Sequence, residues 1–554
     1  MKKSGSDAPA DLSAEAISST TERARYAFEA SFAQNRLWVV HQLLADQSVY
    51  NMPAAIALRG VVRVPALERA FERVMQRHDS LRTTFMEKDG ELVQVVEEDV
   101  SFELPVIHLS DLAPELRWKR AAGLAELDAA AAFDLHSGPL IRISLIRLEE
   151  REHLLLVNLH HIISDGWSVE ILIRELSAFY NAEVEGQKLQ LPELPVQYAD
   201  YAHFQKEWMK DEVLQHHLEY WKQQLSGELP VLQLPAASPR SSPGSHEGRT
   251  CKFTLSQGVT QAIRAVCRQE EVTPFILLLA VYKVWLYRYS GQKDVLVGTP
   301  SAGRELEEVE GVIGFFVNTL VIRTGIEPTA SFRTVLQQVK GTVLEAYPHQ
   351  EVPFEKVVEA VLPARSATTS LFQAMFVYQH RDLQLELKGL DAERIEVERR
   401  TAKFDLLLEL VDQEEQMSGA LEYRSNLFSQ DEVSSMMEHF QQLLQSAVQD
   451  PEQAVSRLEL LSEEERRRQL EEWNPASGEG EPEDVLLRIE QQAAATPGQT
   501  AVRSGGGSLS YGELNGQANR LARRLIAQGV RRGDRIGVCL DRSRELVVSL
   551  LAVL

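Results

Sequence analysis

The chain has 554 residues, with 58 Lys plus Arg against 81 Asp plus Glu and a formal net charge of −23. Its 44% hydrophobic content is enough for packed cores and excludes disorder throughout. Three scattered cysteines, Cys251, Cys267 and Cys539, exclude a disulfide scaffold and offer no CxxC metal site. The acidic balance argues against general nucleic-acid binding, which needs clustered Lys and Arg.

Met1-Lys2-Lys3 is charged, but no apolar stretch follows it over residues 4–22, and no uncharged apolar run approaches 18 residues. A cytoplasmic protein with no membrane partner is expected. At roughly 100–200 residues per domain, the length predicts three or four compact units. Residues 1–28 read as a solvated tail or docking segment, with room for one short helix over 12–28. From residue 29 to about 440, helical and strand patterns alternate, which predicts an α/β architecture. Residues 66–78 place Leu67, Phe71 and Val74 on one helical face. Residues 139–147 and 153–159 flank the polar turn 149–152 and predict a hairpin. Ser168 is read as the cap of a helix reaching about Tyr180. The Ser- and Pro-rich stretch 233–248 is read as the linker between two halves, 29–235 and 236–460. The second half predicts a helix near 257–290, a strand at 294–299, a helix at 332–347, and strands at 371–378 and 404–411. Residues 461–485 form a second linker. Residues 486–554 then carry ten Arg and five acidic residues, a local +5 that supports a domain boundary. The last residues, 551–554, stop in mid-pattern and read as a truncation.

The densest chemical signal is His160-His-Ile-Ile-Ser-Asp-Gly166, where an apolar strand runs into a helix. Neighbouring strand side chains point to opposite faces, so only one of His160 and His161 can face a given cavity. Gly166 is expected to supply a left-handed turn or a close backbone approach. A pair of core histidines is the plain alternative. Adjacent strand histidines chelate zinc poorly, and no HxxxH pattern accompanies them. No GxSxG nucleophile elbow is present. Transfer without a covalent enzyme intermediate fits better.

With these residues the chain resembles a condensation domain of nonribosomal peptide synthetases, a relative of chloramphenicol acetyltransferase. HHxxxDG is one of seven regions in the family's order. The others are SFAQNRLW from Ser31, RHDSLRTTF from Arg77, YADYA from Tyr198, IGFFVNT from Ile313 with Arg323 following, HQEVPFE from His349, and RSATTSLFQ from Arg365. The last lacks the usual Pro. After the linker, LSYGEL from Leu509 and LLAVL from Leu550 resemble the start of an adenylation domain, whose phosphate loop and catalytic Lys would lie beyond Leu554.

The resemblance implies two acetyltransferase-like lobes in a V-shaped pseudo-dimer with a central tunnel, plus an incomplete adenylation N-terminus. It implies amide formation, with a carrier-bound aminoacyl amine attacking a donor thioester. His161 is implied to face the tunnel, as base or as orienter of the amine, with His160 turned into a lobe. Asp165 is implied to be structural, bridged to Arg304 in Gly298-Thr-Pro-Ser-Ala-Gly-Arg304. Tyr198 and Asp200 are expected to pack the lobe junction, and Asn318 to pair with backbone near the crossover. Trp38 and Phe354 are expected in the core. No covalent cofactor is expected. The substrates arrive on phosphopantetheine arms of an upstream donor and a downstream acceptor carrier protein, beside a full adenylation domain. A starter domain N-acylating the first amino acid from a fatty acyl donor is the alternative within the class. A non-catalytic carrier-recruitment domain is the alternative outside it.

Overall fold

The computed structural model describes residues 15–16, 25–99, 101–235, 246–362, 371–380, 385–413, 415–474, 484–505 and 507–554. Most of the N-terminal segment, residues 236–245 of the Ser/Pro-rich stretch and residues 363–370 of the seventh motif lie outside them. The chain divides into two compact units, Met1–Ser462 and Glu463–Leu554.

The first unit holds two lobes, each with its own sheet. In the N-lobe the central strands are Asn51–Gly60, Glu152–His160 and Ile141–Glu149. The last two form the expected hairpin, with Ile141 opposite Leu159 and Glu149 opposite Glu152. Helix Val64–Arg77 follows the 3.6-residue period, and Leu67, Phe71 and Val74 are all fully buried. Each such side chain contributes about 1.5–3 kcal/mol of transfer free energy. A separate four-stranded sheet carries Arg25–Glu29 paired with Glu91–Glu97. The stretch read as tail or short helix therefore ends in a strand, because Tyr26 to Phe28 pair with Gln94 to Val96.

The C-lobe sheet has the order Asn318–Gly325, Asp294–Ser301, Ala374–His380, Leu406–Gln413, Gln416–Arg424, Gly248–Thr254. Its core helix, Pro274–Ser290, is buried on all sides from Ile276 to Leu286. The single helix expected over 257–290 is two: Gln257–Glu270 ends on Glu271 in the left-handed region (φ 52°), and Thr273 caps the next with Pro274 at its first position. Within the core helix Lys283 is fully buried, its Nζ donating to Val295 O (3.0 Å) and Ile322 O (2.6 Å). Burial lowers its pKa to about 7.

The lobes exchange segments, so the Ser/Pro-rich stretch does not mark the packing boundary expected at 235. Met209, Leu218, Trp221, Leu225 and Leu232 pack in the C-lobe core. In return, strand Leu390–Ile395 completes the N-lobe sheet antiparallel to Asn51–Gly60, and Leu385 and Leu387 enter the N-lobe core.

The second unit has helices Val485–Ala495, Tyr511–Ala527 and Arg544–Val553, and a two-stranded ribbon of Thr500–Ser504 with Gly507–Ser510. Leu509, Leu514 and Val548 form its core. Ser510 and Glu513 close a capping box at the start of Tyr511–Ala527. No helix among the described residues is long and apolar enough to cross a membrane.

Candidate functional site

Strand Glu152–His160 ends inside the N-lobe, and a single 3-10 turn, His161–Ile163, leads to helix Gly166–Glu185. The turn sends the two imidazoles apart. His160 is fully buried, its Nδ1 accepting from Ile162 N (3.1 Å), its ring edge-on to His41 and Phe133. Burial holds it well below the ordinary histidine range. His161 is only partly buried. Its Nδ1 lies 2.8 Å from Ser164 O. A carbonyl only accepts, so the proton is assigned to Nδ1 and Nε2 is left as an acceptor. Its ring meets Phe315 edge-on, centroids 4.9 Å apart, and Tyr50 at 6.5 Å. Burial, and next the charge of Lys403, lower its pKa to about 3, so the ring is neutral at physiological pH.

Asp165, not Ser168, caps the helix. Its Oδ1 accepts from Ser168 N (2.8 Å) and Ser168 Oγ (2.7 Å), and its Oδ2 from Phe316 N (3.0 Å). Ser168 sits in the first turn. Its hydroxyl accepts from Gly314 N (3.0 Å) and Arg304 Nη2 (2.9 Å). Arg304 Nη2 lies 3.2 Å from Asp165 Oδ1, and both side chains are 1% exposed. Arg304 Nη1 donates to Val309 O (2.7 Å) and Val312 O (2.6 Å), while Phe316 stacks on the guanidinium at 3.9 Å. Gly303 is at φ 65°, and a Cβ there would stand 2.1 Å from Phe316 O, so the turn that delivers Arg304 requires glycine.

Gly166 does not behave as expected. Its φ is not in the left-handed region, and a Cβ built there meets nothing within 4 Å. It is exposed at the first helical position. Gly314, like Gly303, is tight: a Cβ there would fall 2.0 Å from the Tyr198 ring.

The supporting residues converge on the crossover segment Ile313 to Asn318. Tyr198 is buried, and its hydroxyl donates to Phe315 O (2.7 Å) and stands 2.9 Å from Ser31 Oγ. Asp200 plays a local part, accepting from Gln197 N (2.7 Å) in a capping box. Asn318 Nδ2 donates to Gln350 O (2.7 Å) and Val352 O (2.6 Å), and its Oδ1 accepts from Phe354 N (3.0 Å). Phe354 lies in the C-lobe core and Trp38 packs against the N-lobe core.

Residue-by-residue reading of the sequence missed His78. It is fully buried, its Nε2 2.9 Å from Glu175 Oε2 and its Nδ1 accepting from Ile313 N (3.3 Å). Ser80 Oγ donates to Ile313 O (2.6 Å). Both lie in RHDSLRTTF, so the signal was the motif itself, which says nothing of its partner across the lobes. Lys403 was missed too, having no pattern around it.

Residues 25–470 match the family model for the condensation domain. The chain belongs to the condensation domain family. Residues 489–554 match part of the model for AMP-binding enzymes, which accounts for the second unit as the beginning of an adenylation domain. A linear gramicidin synthase polypeptide of Brevibacillus parabrevis is 41% identical over 533 residues, 95% of this chain and 10% of that protein. The chain thus spans about a tenth of the relative it matches. Among solved structures, holo-AB3403, a four-domain nonribosomal peptide synthetase bound to AMP and glycine, is 24% identical with a TM-score of 0.77, covering 98% of this chain and 41% of that one. The X-domain in its complex with OxyB from teicoplanin biosynthesis is 26% identical with a TM-score of 0.69, covering 81% and 98%. The chain therefore has the two-lobed fold of the condensation domain, a class of amide-forming acyltransferase.

Proposed function

We propose that His161 is the catalytic residue of amide formation between a donor thioester and an acceptor amine, each borne on the phosphopantetheine arm of a carrier protein. The amine nitrogen bonds to the thioester carbonyl carbon, the C–S bond breaks, and the amine proton leaves with the thiolate. A thioester is already activated, so positioning is the main task, worth roughly 7–11 kcal/mol for well-oriented reactants. The observation that carries the reading is the division of labour at the strand end. His161 is neutral, pinned through Nδ1 to Ser164 O, and keeps Nε2 as an acceptor beside Phe315. His160 is sealed in the N-lobe and supports the turn. Asp165 and Arg304 hold the loop.

The test is turnover with defined carrier-bound donor and acceptor, alongside carrier binding. His161→Ala is expected to cut kcat by about 10²–10⁴-fold with carrier binding kept. His160→Ala is expected to act through stability. Unchanged turnover in His161→Ala would overturn the reading. A second reading, recruitment without catalysis, is favoured by the likeness to the X-domain found in complex with OxyB, and it requires wild-type turnover to be absent. For the donor, deletion of residues 2–24 distinguishes two sources. A carrier docked through that segment would show a raised KM with kcat spared, whereas a free fatty acyl-CoA donor would show no change.

A further inference from the structure

Two other histidines meet away from the catalytic loop. His217 stands in helix Asp211–Gln224, and His349 ends the 3-10 turn Tyr347–His349. Their Nδ1 atoms are 2.9 Å apart, with the ring planes at 81°. Both side chains are half-buried. Tyr220 stacks flat on His349, centroids 4.2 Å apart, and Trp221 Nε1 donates to His349 O (3.1 Å). Leu218 and Trp221 of the same helix pack in the C-lobe core. The turn is thus tied to the helix by a side chain and by a backbone carbonyl. Directly after it, Gln350 O (2.7 Å) and Val352 O (2.6 Å) accept from Asn318 Nδ2, and Phe354 N donates to Asn318 Oδ1 (3.0 Å). The His217–His349 contact therefore braces the segment that anchors the lobe crossover in the C-lobe.

We propose that His217 and His349 form an acid-sensitive latch on that anchor, closed at neutral pH and opened when both rings are charged. Two nitrogens at 2.9 Å share a hydrogen bond when one Nδ1 bears the proton and the other offers its lone pair. A first added proton, taken on the outer Nε2 of the donor ring, leaves that bond in place. A second goes to the acceptor's Nδ1 and removes the lone pair. Two N–H groups then point at each other between two like charges, and the rings must separate. The proposal goes beyond the reading of His161 and does not depend on it.

The titratable groups facing the pair are His216 and Tyr220 from the same helix and Glu351 just past the turn. Glu345, at the end of helix Phe332–Ala346, lines the same hollow as Tyr220 and His349. Helix Phe354–Val361 packs on helix Asp211–Gln224. Its Lys356 and Glu359 pair with each other (3.2 Å), and its Glu355 pairs with Arg36 (3.4 Å). Burial lowers both histidines below the ordinary value of 6.5. For His217 the charge of Glu351 opposes this and His216 adds to it, and for His349 both His217 and His216 add to it. The closed pair binds protons more weakly than the open one. The latch is therefore at full strength above the ordinary histidine value and is lost as pH falls below it.

The experiment takes the full chain from about pH 8 down to about pH 5. It follows the labelled histidine rings by NMR titration and hydrogen exchange at the Phe354 amide, corrected for the intrinsic pH dependence of exchange. It compares wild type, His217→Gln, His349→Gln and His217→Leu. A Gln amide turns to donate to, or accept from, the remaining ring, so its tie holds across the range. In wild type, both rings should titrate below the ordinary histidine value, and protection of Phe354 should fall about fivefold on acidification, the worth of one neutral hydrogen bond. In His217→Gln and His349→Gln, protection should stay at the neutral wild-type level throughout. In His217→Leu it should be reduced by the same factor already at the alkaline end. Should His217→Leu fail to fold, the two Gln variants decide. Flat protection in wild type across the range, or an acid loss in the Gln variants equal to that of wild type, would overturn the proposal.

Discussion

Replacing Asp165 by Asn removes one charge from a pair whose side chains are both 1% exposed, without changing the shape of the residue. Arg304 is then left as a buried cation. With its Nη2 3.2 Å from Asp165 Oδ1, the charge centres stand about 4 Å apart, and at an effective dielectric near 20 the lost attraction is about 4 kcal/mol. The hydrogen bonds add to this. Asp165 Oδ1 accepts from Ser168 and Oδ2 from Phe316 N, so either orientation of an Asn amide sets its NH₂ against a donor. Asp165→Asn is expected to cost about 3–5 kcal/mol. Arg304→Met is milder, because the carboxylate keeps Ser168 N, Ser168 Oγ and Phe316 N. It frees Val309 O and Val312 O, takes one of the two donors from Ser168 Oγ and removes the Phe316 stacking, and a loss of about 2 kcal/mol is expected. The double mutant should recover about 1–3 kcal/mol relative to the sum. Urea unfolding followed by tryptophan fluorescence gives the four stabilities. Additivity within about 0.5 kcal/mol, or Arg304→Met proving the costlier single change, would refute the reasoning.

Gly314→Ala places a methyl 2.0 Å from the Tyr198 ring, and an overpacking loss of about 1–3 kcal/mol is expected, read as a lowered melting temperature. A melting temperature equal to wild type would show that Tyr198 can give way. Lys283 supplies a pH signature. Its folded pKa of about 7 lies below the ordinary lysine value of 10.5, so between these the unfolded state binds the extra proton and stability rises with pH. Lys283→Met should remove up to about 1.4 kcal/mol per pH unit of that slope across this window, and an identical slope in the variant would exclude Lys283 as its source.

Elements with local signals were legible in the sequence. Helix Val64–Arg77 and the hairpin Ile141–Glu149 with Glu152–His160 follow their periods because one face of each meets the core. Strand Leu390–Ile395 was not legible. Leu-Asp-Ala-Glu-Arg-Ile has no clean alternation, and the strand is held by backbone pairing to Asn51–Gly60 and by Arg59 beside Asp391 and Glu393. The helix break at Glu271–Thr273 was written in Thr273-Pro274, but apolar residues on both sides carried the helical reading across it. At the site, residue types were readable and partners mostly were not. Ser168 had the chemistry of a cap, yet Asp165 lies nearer the strand and takes the position, leaving Ser168 to bind Gly314 and Arg304. Gly166 was read through glycine's common use, whereas a strain-dependent glycine, Gly303, stands beside Arg304.

The segment IGFFVNT acts physically as a splint between the lobes. Four consecutive residues bind the N-lobe: Ile313 N to His78 and O to Ser80, Gly314 N to Ser168, Phe315 O to Tyr198, and Phe316 N to Asp165. Two residues later Asn318 binds Gln350, Val352 and Phe354 of the C-lobe. A backbone held this densely has little freedom, since each bond lost inside the protein costs the desolvation of its partner, about 1–3 kcal/mol. Phe315 is thereby fixed edge-on against His161 at 4.9 Å. The orientation of the histidine thus depends on Ser164 within its own loop and on a residue that the lobe junction delivers. A change that opens the junction reaches His161 through Phe315, which explains physically why a condensation domain would need His78, Tyr198 and Asn318 as well as its histidine.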